Sequence, residues 1–409
     1  MATFIDLFEY PLSAILAAAF VLSVIFLHTY LGHLRWVRLL SSRTTGIALL
    51  ACIAVGLMVE GTWPVSIHSS ACFALLMLLL LTSLSLAILR GLTHHAGLTF
   101  LLSHAGMFLI LFASYFGSPD VVRGKMIVSG NESVQVAYDG QGRVLPMPFQ
   151  LSLQDFHIDY YADGHSPRQY TSTLIVNGVD TVCTSVNHPA HVSGYSLLQD
   201  SYDMKSHRYS VIQVVRDPWM FLVFCGMIFL ALGSIMLLYG RWHSPLVWLV
   251  TLVLAICFTV LTILKINFET LMPALRSWWF VPHLFIYMVA YALMALALVM
   301  WLVEYMSRPH VHLSHLLMRS SSALLITGMI AGSIWAQQCW GDYWAWDPKE
   351  NWAAVTWLFT LVYLHMGNHR TLPAFLVILL SFIALQITWY GVDYLPSAVH
   401  SLHTYRWLL

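Results

Sequence analysis

The sequence predicts an all-α polytopic membrane protein of about ten transmembrane helices, with one inserted small β-rich extracytoplasmic domain. Its 409 residues are 59% hydrophobic and only 9% charged, whereas soluble domains carry about 25% charged residues. The charge is concentrated in residues 118–216, which hold 16 of the 38 acidic and basic side chains. With no net charge, this pattern excludes an ordinary soluble enzyme, a disordered chain and a nucleic-acid-binding protein.

The predicted spans follow from apolar runs, because a membrane helix needs about 20 predominantly apolar residues. Ten segments qualify, at about residues 11–31, 44–60, 70–89, 97–117, 218–239, 244–264, 279–303, 320–338, 351–368 and 372–390. The first segment lacks a basic start and a small-residue cleavage site. We therefore expect it to be a retained span rather than a signal peptide.

Arginines in short loops predict how these spans are oriented, because basic loops stay in the cytoplasm. If the ten spans alternate, the basic loops fall on one side, with Arg35, Arg38, Arg43, Arg90, Arg241, Arg308, Arg319 and Arg370. Both termini, residues 118–216 and the loops at 265–278 and 339–350 then lie outside the cytoplasm.

The charged insertion divides the chain into transmembrane residues 1–117, a β domain at 118–216 and transmembrane residues 217–409. Apolar and polar residues alternate in three runs of the insertion, which predicts β-strands at 149–153, 169–176 and 209–215. Turn signals separate the predicted strands at Asp139-Gly140, Asp163-Gly164 and Asn177-Gly178.

Residues 332–357 are unusually rich in tryptophan. They contain six of the chain's sixteen tryptophans, Trp335, Trp340, Trp344, Trp346, Trp352 and Trp357. One interpretation is an interfacial aromatic belt. The other is a surface for a flat, apolar, conjugated ligand, because indole faces stack on planar rings. Composition leaves both interpretations open.

Part of this tryptophan-rich segment predicts a helix start. Asp347 provides an N-cap, Pro348 occupies the first helical position and Glu350 stands three residues after the cap. These three residues are therefore expected to be architectural.

Four of the twenty histidines stand out by position. His104 lies inside the fourth span and His365 near the inner end of the ninth, where an ionisable residue is a functional hypothesis by default. His283 opens the seventh span and His400 follows the tenth, on the side that carries the tryptophans. Two pairs at two depths would suit axial ligation of haem iron; helix-packing hydrogen bonds are the alternative. A weaker hypothesis is a metal site at His310, His312 and His315.

The residues of the tryptophan-rich segment resemble a known family. Trp340-Gly-Asp-Tyr-Trp-Ala-Trp-Asp-Pro-Lys-Glu-Asn-Trp352, followed by Thr356-Trp357 and Tyr363-Leu-His365, resembles the WWD signature of haem-handling proteins. Its Asp-Pro-Lys-Glu form is similar to the CcsA/ResC branch of System II cytochrome c biogenesis. Gly391-Val-Asp-Tyr-Leu-Pro-Ser-Ala-Val-His400 resembles the C-terminal histidine motif of that branch. The likeness covers about residues 220–409.

The first half resembles the ResB/CcsB partner of that branch. Ser103-His104-Ala105-Gly106 is similar to its transmembrane histidine motif, and residues 148–160 and 194–202 resemble its external β domain. The chain therefore resembles a fused, compact CcsBA, with a ResB/CcsB-like part at 1–117 and a CcsA-like haem-handling domain at 217–409. Its external domain is short for the family, and four spans precede it rather than three.

The resemblance implies roles for the singled-out residues. His104 and His365 would take haem b, with ferrous iron, from the cytoplasmic side. His283 and His400 would ligate the iron on the external side, with His403 as the alternative to His400. The same motif implies that five residues bind the haem and support its reaction: Trp340, Trp344, Trp346, Asp347 and Trp352.

The activity that the resemblance implies is that of a holocytochrome c synthase in a bacterial inner membrane, with its β domain and tryptophans facing the periplasm. The family joins haem vinyl groups to the cysteine thiols of a CxxCH motif in apocytochrome c. The six cysteines of this chain form no CxxC, so a separate thiol reductant is implied. The alternatives are a haem-delivery subunit without synthase activity, in the manner of CcmC, and a structural membrane protein.

Overall fold

The computed structural model describes residues 8–130, 132–205, 208–238, 249, 251–253, 256–257, 260, 270–307 and 313–401. The predicted sixth span at 244–264 lies largely outside the described residues. His310, His312 and His403 also lie outside them, and His400 is described by its backbone alone.

Ten α-helices form the membrane part of the described chain. They are α1 (Leu12–Leu31), α2 (Arg35–Leu40), α3 (Arg43–Thr62), α4 (Ala71–Thr93), α5 (Leu98–Gly117), α6 (Met220–Leu238), α7 (Phe280–Ser307), α8 (Leu313–Trp340), α9 (Pro348–His365) and α10 (Leu372–Gln386). Among the described residues, all but α2 and α9 are long and apolar enough to cross a membrane. The chain is therefore a multi-pass membrane protein, as predicted.

Nine of the ten predicted spans correspond to helices, and two of these differ from the prediction. Helix α8 begins at Leu313 rather than near 320, because the polar residues from Ser314 to Arg319 continue the helix. Helix α9 replaces the ninth span but is too polar at its Pro-Lys-Glu-Asn start to count as a span by itself. It nevertheless packs against α3, α8 and α10.

The inserted domain is one antiparallel sheet of eight strands. They are β1 (Val122–Ser129), β2 (Val134–Tyr138), β3 (Val144–Tyr160), β4 (Pro167–Val176), β5 (Asp180–Ser185), β6 (Ala190–Val192), β7 (Tyr195–Tyr202) and β8 (Tyr209–Arg216). Their order is β5-β4-β3-β2-β1-β8-β7-β6. The sheet nearly closes on itself, because the Thr184 hydroxyl of β5 donates to the Leu197 carbonyl of β7 at 2.7 Å. The three predicted strands and the turns between them are confirmed.

Glycines set the spacing of α5 and α6, the helices that lead into and out of the β domain. A Cβ atom at Gly106 would lie 2.5 Å from the Leu230 nitrogen, and one at Gly226 would lie 2.8 Å from the Gly106 carbonyl oxygen. Small residues of this kind allow membrane helices to approach closely. Gly106 belongs to the Ser-His-Ala-Gly motif, so close packing fixes the position of His104 two residues earlier.

The carboxylate of Asp120 joins the helix ends beneath the β domain. It accepts hydrogen bonds from the Tyr10 backbone N–H at 2.6 Å, the Ser13 hydroxyl at 2.7 Å and the Trp219 indole N–H at 2.7 Å. One side chain therefore links the start of α1, the end of α5 and the start of α6. We call this end of the membrane part the β side.

Candidate functional site

The tryptophan-rich segment contains the helix start that the sequence predicts. The Asp347 carboxylate accepts from the Lys349 N–H at 2.7 Å, and the Glu350 carboxylate accepts from the Asp347 N–H at 3.2 Å. This reciprocal capping box begins α9 immediately after Pro348 takes the first helical position. The architectural prediction for these residues is therefore confirmed.

One residue of the segment adopts a strained backbone. Trp346 has φ of 58°, a left-handed conformation that is rare for a bulky side chain and costs about 1–3 kcal/mol. The Asn351 side-chain amide donates to the Trp346 carbonyl at 3.0 Å and helps to hold this turn. The sharp turn directs successive tryptophans to different surroundings.

His283 lies in the first turn of α7 with one ring nitrogen already engaged. Its Nδ1 lies 2.8 Å from the Gly328 carbonyl oxygen of α8, and a carbonyl can only accept, so Nδ1 carries the proton. The lone pair of this neutral ring then lies on Nε2. A Cβ at Gly332 would lie 2.7 Å from His283 Cε1, so this glycine makes room for the imidazole.

An aromatic cavity of about 120 Å³ lies beside His283. Its aromatic lining is Tyr287, Tyr291, Trp335, Tyr343, Trp344 and Trp389. Two charged residues of the α9 start, Lys349 and Glu350, also line it. The Tyr287 ring meets the imidazole edge-on at 4.7 Å between ring centroids. The site thus combines the His283 imidazole, flat aromatic walls and the Lys349 ammonium group at its border.

The predicted tryptophans do not share one surface. Trp344 lines the His283 cavity. Trp340 packs on Trp335 at 5.7 Å and accepts a hydrogen bond from Gln213 of the β domain at its carbonyl. Trp352 is buried against α3, where a Cβ at Gly61 would lie 2.8 Å from its indole.

Trp346 lies one ring farther from the cavity than Trp344. The two indoles meet edge-on, with centroids 6.2 Å apart. The face of Trp346 is covered by the imidazole of His68, parallel within 4° at 4.7 Å. Trp346 therefore acts on the cavity through Trp344 in this conformation.

His104 and His365, which are 261 positions apart in the chain, are brought together. Their ring centroids are 6.1 Å apart. The His104 Nδ1 lies 2.9 Å from the Phe100 carbonyl oxygen and the His365 Nδ1 lies 2.8 Å from that of Leu361. Each ring therefore has its Nδ1 engaged within its own helix, so the lone pair of each neutral imidazole lies on Nε2.

The turn that carries His400 lies at the end of α3. It is a short 3₁₀ helix, Pro396–His400, and the Ser397 hydroxyl donates to the Gly61 carbonyl at 2.6 Å. Elsewhere, His315 stacks on His369 with centroids 4.1 Å apart. Within the part of the chain that the structure describes, no three metal-binding side chains cluster.

Besides the hydrogen bond from Gln213 to Trp340, the β domain contacts the tryptophan-rich segment through an ion pair and a close approach at a glycine. Arg123 of β1 pairs with Asp342, and Gly341, at φ of 78°, lies against Val215 of β8, where a Cβ would approach to 2.8 Å. Burial raises the pKa of Asp342, and the Arg123 guanidinium lowers it in part. Burial likewise raises the pKa of Asp217 nearby.

Replacing Arg123 by alanine is expected to loosen this contact by about 1 kcal/mol, because the pair is partly solvent-exposed. The folded state binds the Asp342 proton more tightly than the unfolded state, so the stabilising contribution of this group falls as pH rises through the carboxyl range. Limited proteolysis of the Arg123→Ala protein should therefore be faster at pH 8 than at pH 5. An additional Asp342→Asn substitution should reduce that pH difference, leaving the part due to Asp217. A pH difference that is unchanged in the double variant would contradict the assignment to Asp342.

Several site residues were not singled out from the sequence. Tyr287 lies one helical turn after His283, and residues four apart share a helix face, so spacing could have identified it. Glu60 is an acidic residue at the end of an apolar span, which is itself a signal. Trp389 carries no comparable signal, because its place in the wall of the His283 cavity depends on how the chain after α10 packs against α7.

Two family models match different parts of the chain. Residues 215–400 match the family model described as cytochrome C assembly protein, and residues 90–208 match the ResB-like family. The cytochrome c biogenesis protein CcsA of Guillardia theta is 44% identical over 89 residues, which cover 21% of this chain and 28% of that protein. CcsA of Prochlorococcus marinus strain MIT 9312 is 32% identical over 198 residues, 37% of this chain and 61% of that protein. The chain thus spans less than two thirds of these relatives.

Proposed function

We propose that this chain is a cytochrome c biogenesis protein, because residues 215–400 match the cytochrome C assembly protein family and residues 90–208 match the ResB-like family. It moves haem b across the membrane, presents it on the β side and attaches it to apocytochrome c. Its parts are a ResB/CcsB-like transmembrane region at 1–117, the β domain at 118–216 and a CcsA-like domain at 217–409.

The observation that carries this proposal is the aromatic environment of the His283 imidazole. Its Nδ1 is engaged by the Gly328 carbonyl, and its ring borders a cavity walled by Trp335, Trp344 and Trp389. Imidazole nitrogen is a common axial ligand of haem iron, and indole faces stack on planar rings. His400, or His403 as the alternative, supplies the second axial ligand from the turn beside α3.

The cavity must widen to take a haem. Its volume of about 120 Å³ lies below the roughly 300–1,000 Å³ of small-molecule sites. The walls belong to three separate helices and the tryptophan-rich segment, so their separation opens the site. Lys349 at the border supplies a cation for a haem propionate.

The spacing of His104 and His365 supports a second haem position within the membrane. An imidazole nitrogen binds a first-row metal ion at about 2 Å, so two imidazoles on opposite faces of one iron have ring centres about 6 Å apart. The 6.1 Å between the two centroids fits this value. This pair receives haem, with ferrous iron, from the cytoplasmic side.

Attachment needs no nucleophile from the chain. Each thiol of a CxxCH motif adds across one haem vinyl group: a carbon–sulfur bond forms, the vinyl double bond becomes a single bond, and the thiol hydrogen ends on the other vinyl carbon. The chain holds the haem while the peptide arrives, which makes the addition effectively intramolecular. The thiols must arrive reduced, and a separate thiol reductant supplies that state.

In this proposal, the protein lies in a bacterial inner membrane with its β side toward the periplasm. The arginine-rich loops support this orientation, and the β domain and the tryptophan-rich segment lie together on the opposite side, joined by Arg123 and Asp342. Apocytochrome c exported to the periplasm then meets the haem there.

Co-expression with an apocytochrome c in cells that lack their own maturation system tests the proposal. We expect covalent haem on the cytochrome, detected by haem peroxidase staining after denaturing electrophoresis. No covalent haem, with the protein present in the membrane, would remove synthase activity. If haem is bound but attachment requires a further subunit, the chain is a delivery protein.

Gly332→Ala is expected to weaken haem binding at the His283 site, because the new Cβ would lie 2.7 Å from the imidazole and displace it. Displacing a supporting group of a metal ligand typically costs about 10–100-fold in affinity. Haem titration of the detergent-purified protein in a His104→Ala background measures this. Gly46→Ala, at a position with nothing within 4 Å, is the matched control and should bind haem like the parent. Equal affinity of both variants would show that the ring tolerates the change.

A further inference from the structure

We infer that Glu60 and His68, from the N-terminal half of the chain, form a positioning pair that fixes Trp346 and thereby shapes the haem site of the C-terminal half. This inference rests on the proposed function and names two residues that it does not use. Neither touches the His283 cavity directly, so their action goes through the tryptophans.

Glu60 holds His68 at two points. One carboxylate oxygen accepts from the His68 backbone N–H at 3.0 Å, and the other bonds to the ring Nδ1. Glu60 is only 6% exposed. A carboxylate this deeply buried needs partners that satisfy it, and His68 uses both of its oxygens. The imidazole is thus held in one orientation.

The held imidazole covers the face of Trp346. The rings are parallel within 4° at 4.7 Å, while Phe73 meets the same indole edge-on at 5.6 Å. Trp346 is also the residue with the strained φ of 58°. Strained conformations persist only where the surroundings over-determine them, and the stacked imidazole is such a constraint.

The position of Trp346 affects the shape of the cavity through Trp344. Its indole meets Trp344 edge-on, and Trp344 lines the cavity beside His283. The residue after Glu60, Gly61, accepts the hydrogen bond from Ser397 of the His400 turn. The end of α3 therefore contacts both the tryptophan-rich segment and the turn that carries the expected second ligand.

In the simpler interpretation, Glu60 only stabilises the loop of residues 63–70 by bonding to His68. Removing His68 would then change the loop but not haem binding or attachment. The stack on Trp346 predicts the opposite, because an aromatic ring of any kind at position 68 should preserve the haem site. This difference defines the variants.

The test compares His68→Ala with the double variant Glu60→Gln/His68→Phe. Phenylalanine keeps a flat ring for the stack, and glutamine avoids a lone buried carboxylate. His191→Ala, an exposed histidine of the β domain, is the control. The readouts are membrane protein level, covalent haem on a co-expressed apocytochrome, and the Soret spectrum of the His283 site in a His104→Ala background.

We expect His68→Ala to lower covalent attachment about tenfold, within the range for residues that support a metal site, and to shift the Soret band at unchanged protein level. The double variant should recover most of the attachment and the parental spectrum. Parental attachment and spectrum in His68→Ala, or a double variant as defective as His68→Ala, would overturn the inference. If the parent attaches no haem, the proposed synthase fails, and the Soret comparison alone decides this inference.

Discussion

Replacing His283 by alanine is expected to abolish covalent attachment of haem to apocytochrome c. The imidazole borders the aromatic cavity, its Nδ1 is fixed by the Gly328 carbonyl, and it is the proposed axial ligand on this side. Removing groups that merely support such ligands costs about 10–100-fold, so loss of the ligand itself should cost at least about 100-fold.

The visible spectrum of the detergent-purified protein, oxidised and reduced, provides the direct readout. His283→Ala and the double variant His283→Ala/His400→Ala should lose the contribution of the β-side haem and retain that of the pair His104 and His365. Because the substitution removes an aromatic ring as well as a ligand, His283→Phe serves as the matched variant and should be equally inactive. Attachment at the parental level in either single variant would exclude His283 as an axial ligand.

Much of the fold follows from local signals. Apolar runs identified α1, α3, α4 and the other long helices, because lipid requires every spanning segment to satisfy its own backbone. The alternation in residues 149–153 identified β3, and Asp347-Pro348 identified the start of α9. The boundaries were less accurate where polar residues continue a helix, as at Ser314.

The site was less accessible to prediction, because it depends on packing between distant segments. Positions within two spans suggested His104 and His365, and the structure brings their rings to 6.1 Å. By contrast, the sequence did not indicate that the left-handed turn at Trp346 gives successive tryptophans different neighbours, with Trp344 at the cavity and Trp346 under His68. His68 carried no motif, and only the fold shows that it stacks on Trp346.

Residues of the first half of the chain contact the tryptophan-rich segment through polar and stacking interactions. Arg123 pairs with Asp342, and the Tyr343 hydroxyl lies 2.9 Å from that of Ser114 in α5. The third contact is His68 on Trp346. All three contacts come from residues outside positions 215–400. The tryptophan-rich segment is therefore held in part by the first half of the chain.

Replacing His104 or His365 by alanine is expected to remove haem from the membrane position and with it the supply to the β side. The two ring centroids are 6.1 Å apart, and on the proposed function the two imidazoles bind one iron, so the effects should not add. Residues that share one site show strong coupling in double-mutant cycles, whereas distant sites add. We therefore expect each single variant to lower attachment by about 100-fold, as for a lost ligand, and the double variant to be no worse.

The measurement is a double-mutant cycle on covalent haem yield at matched membrane protein level. His28→Ala, at the last turn of α1, is the control for losing a histidine from a span and should attach haem like the parent. Additive losses for His104→Ala and His365→Ala would mean that the rings act at separate positions. Coupled losses, together with a β-side spectrum that haem added from outside restores, would place the pair upstream of His283 on the path of the haem.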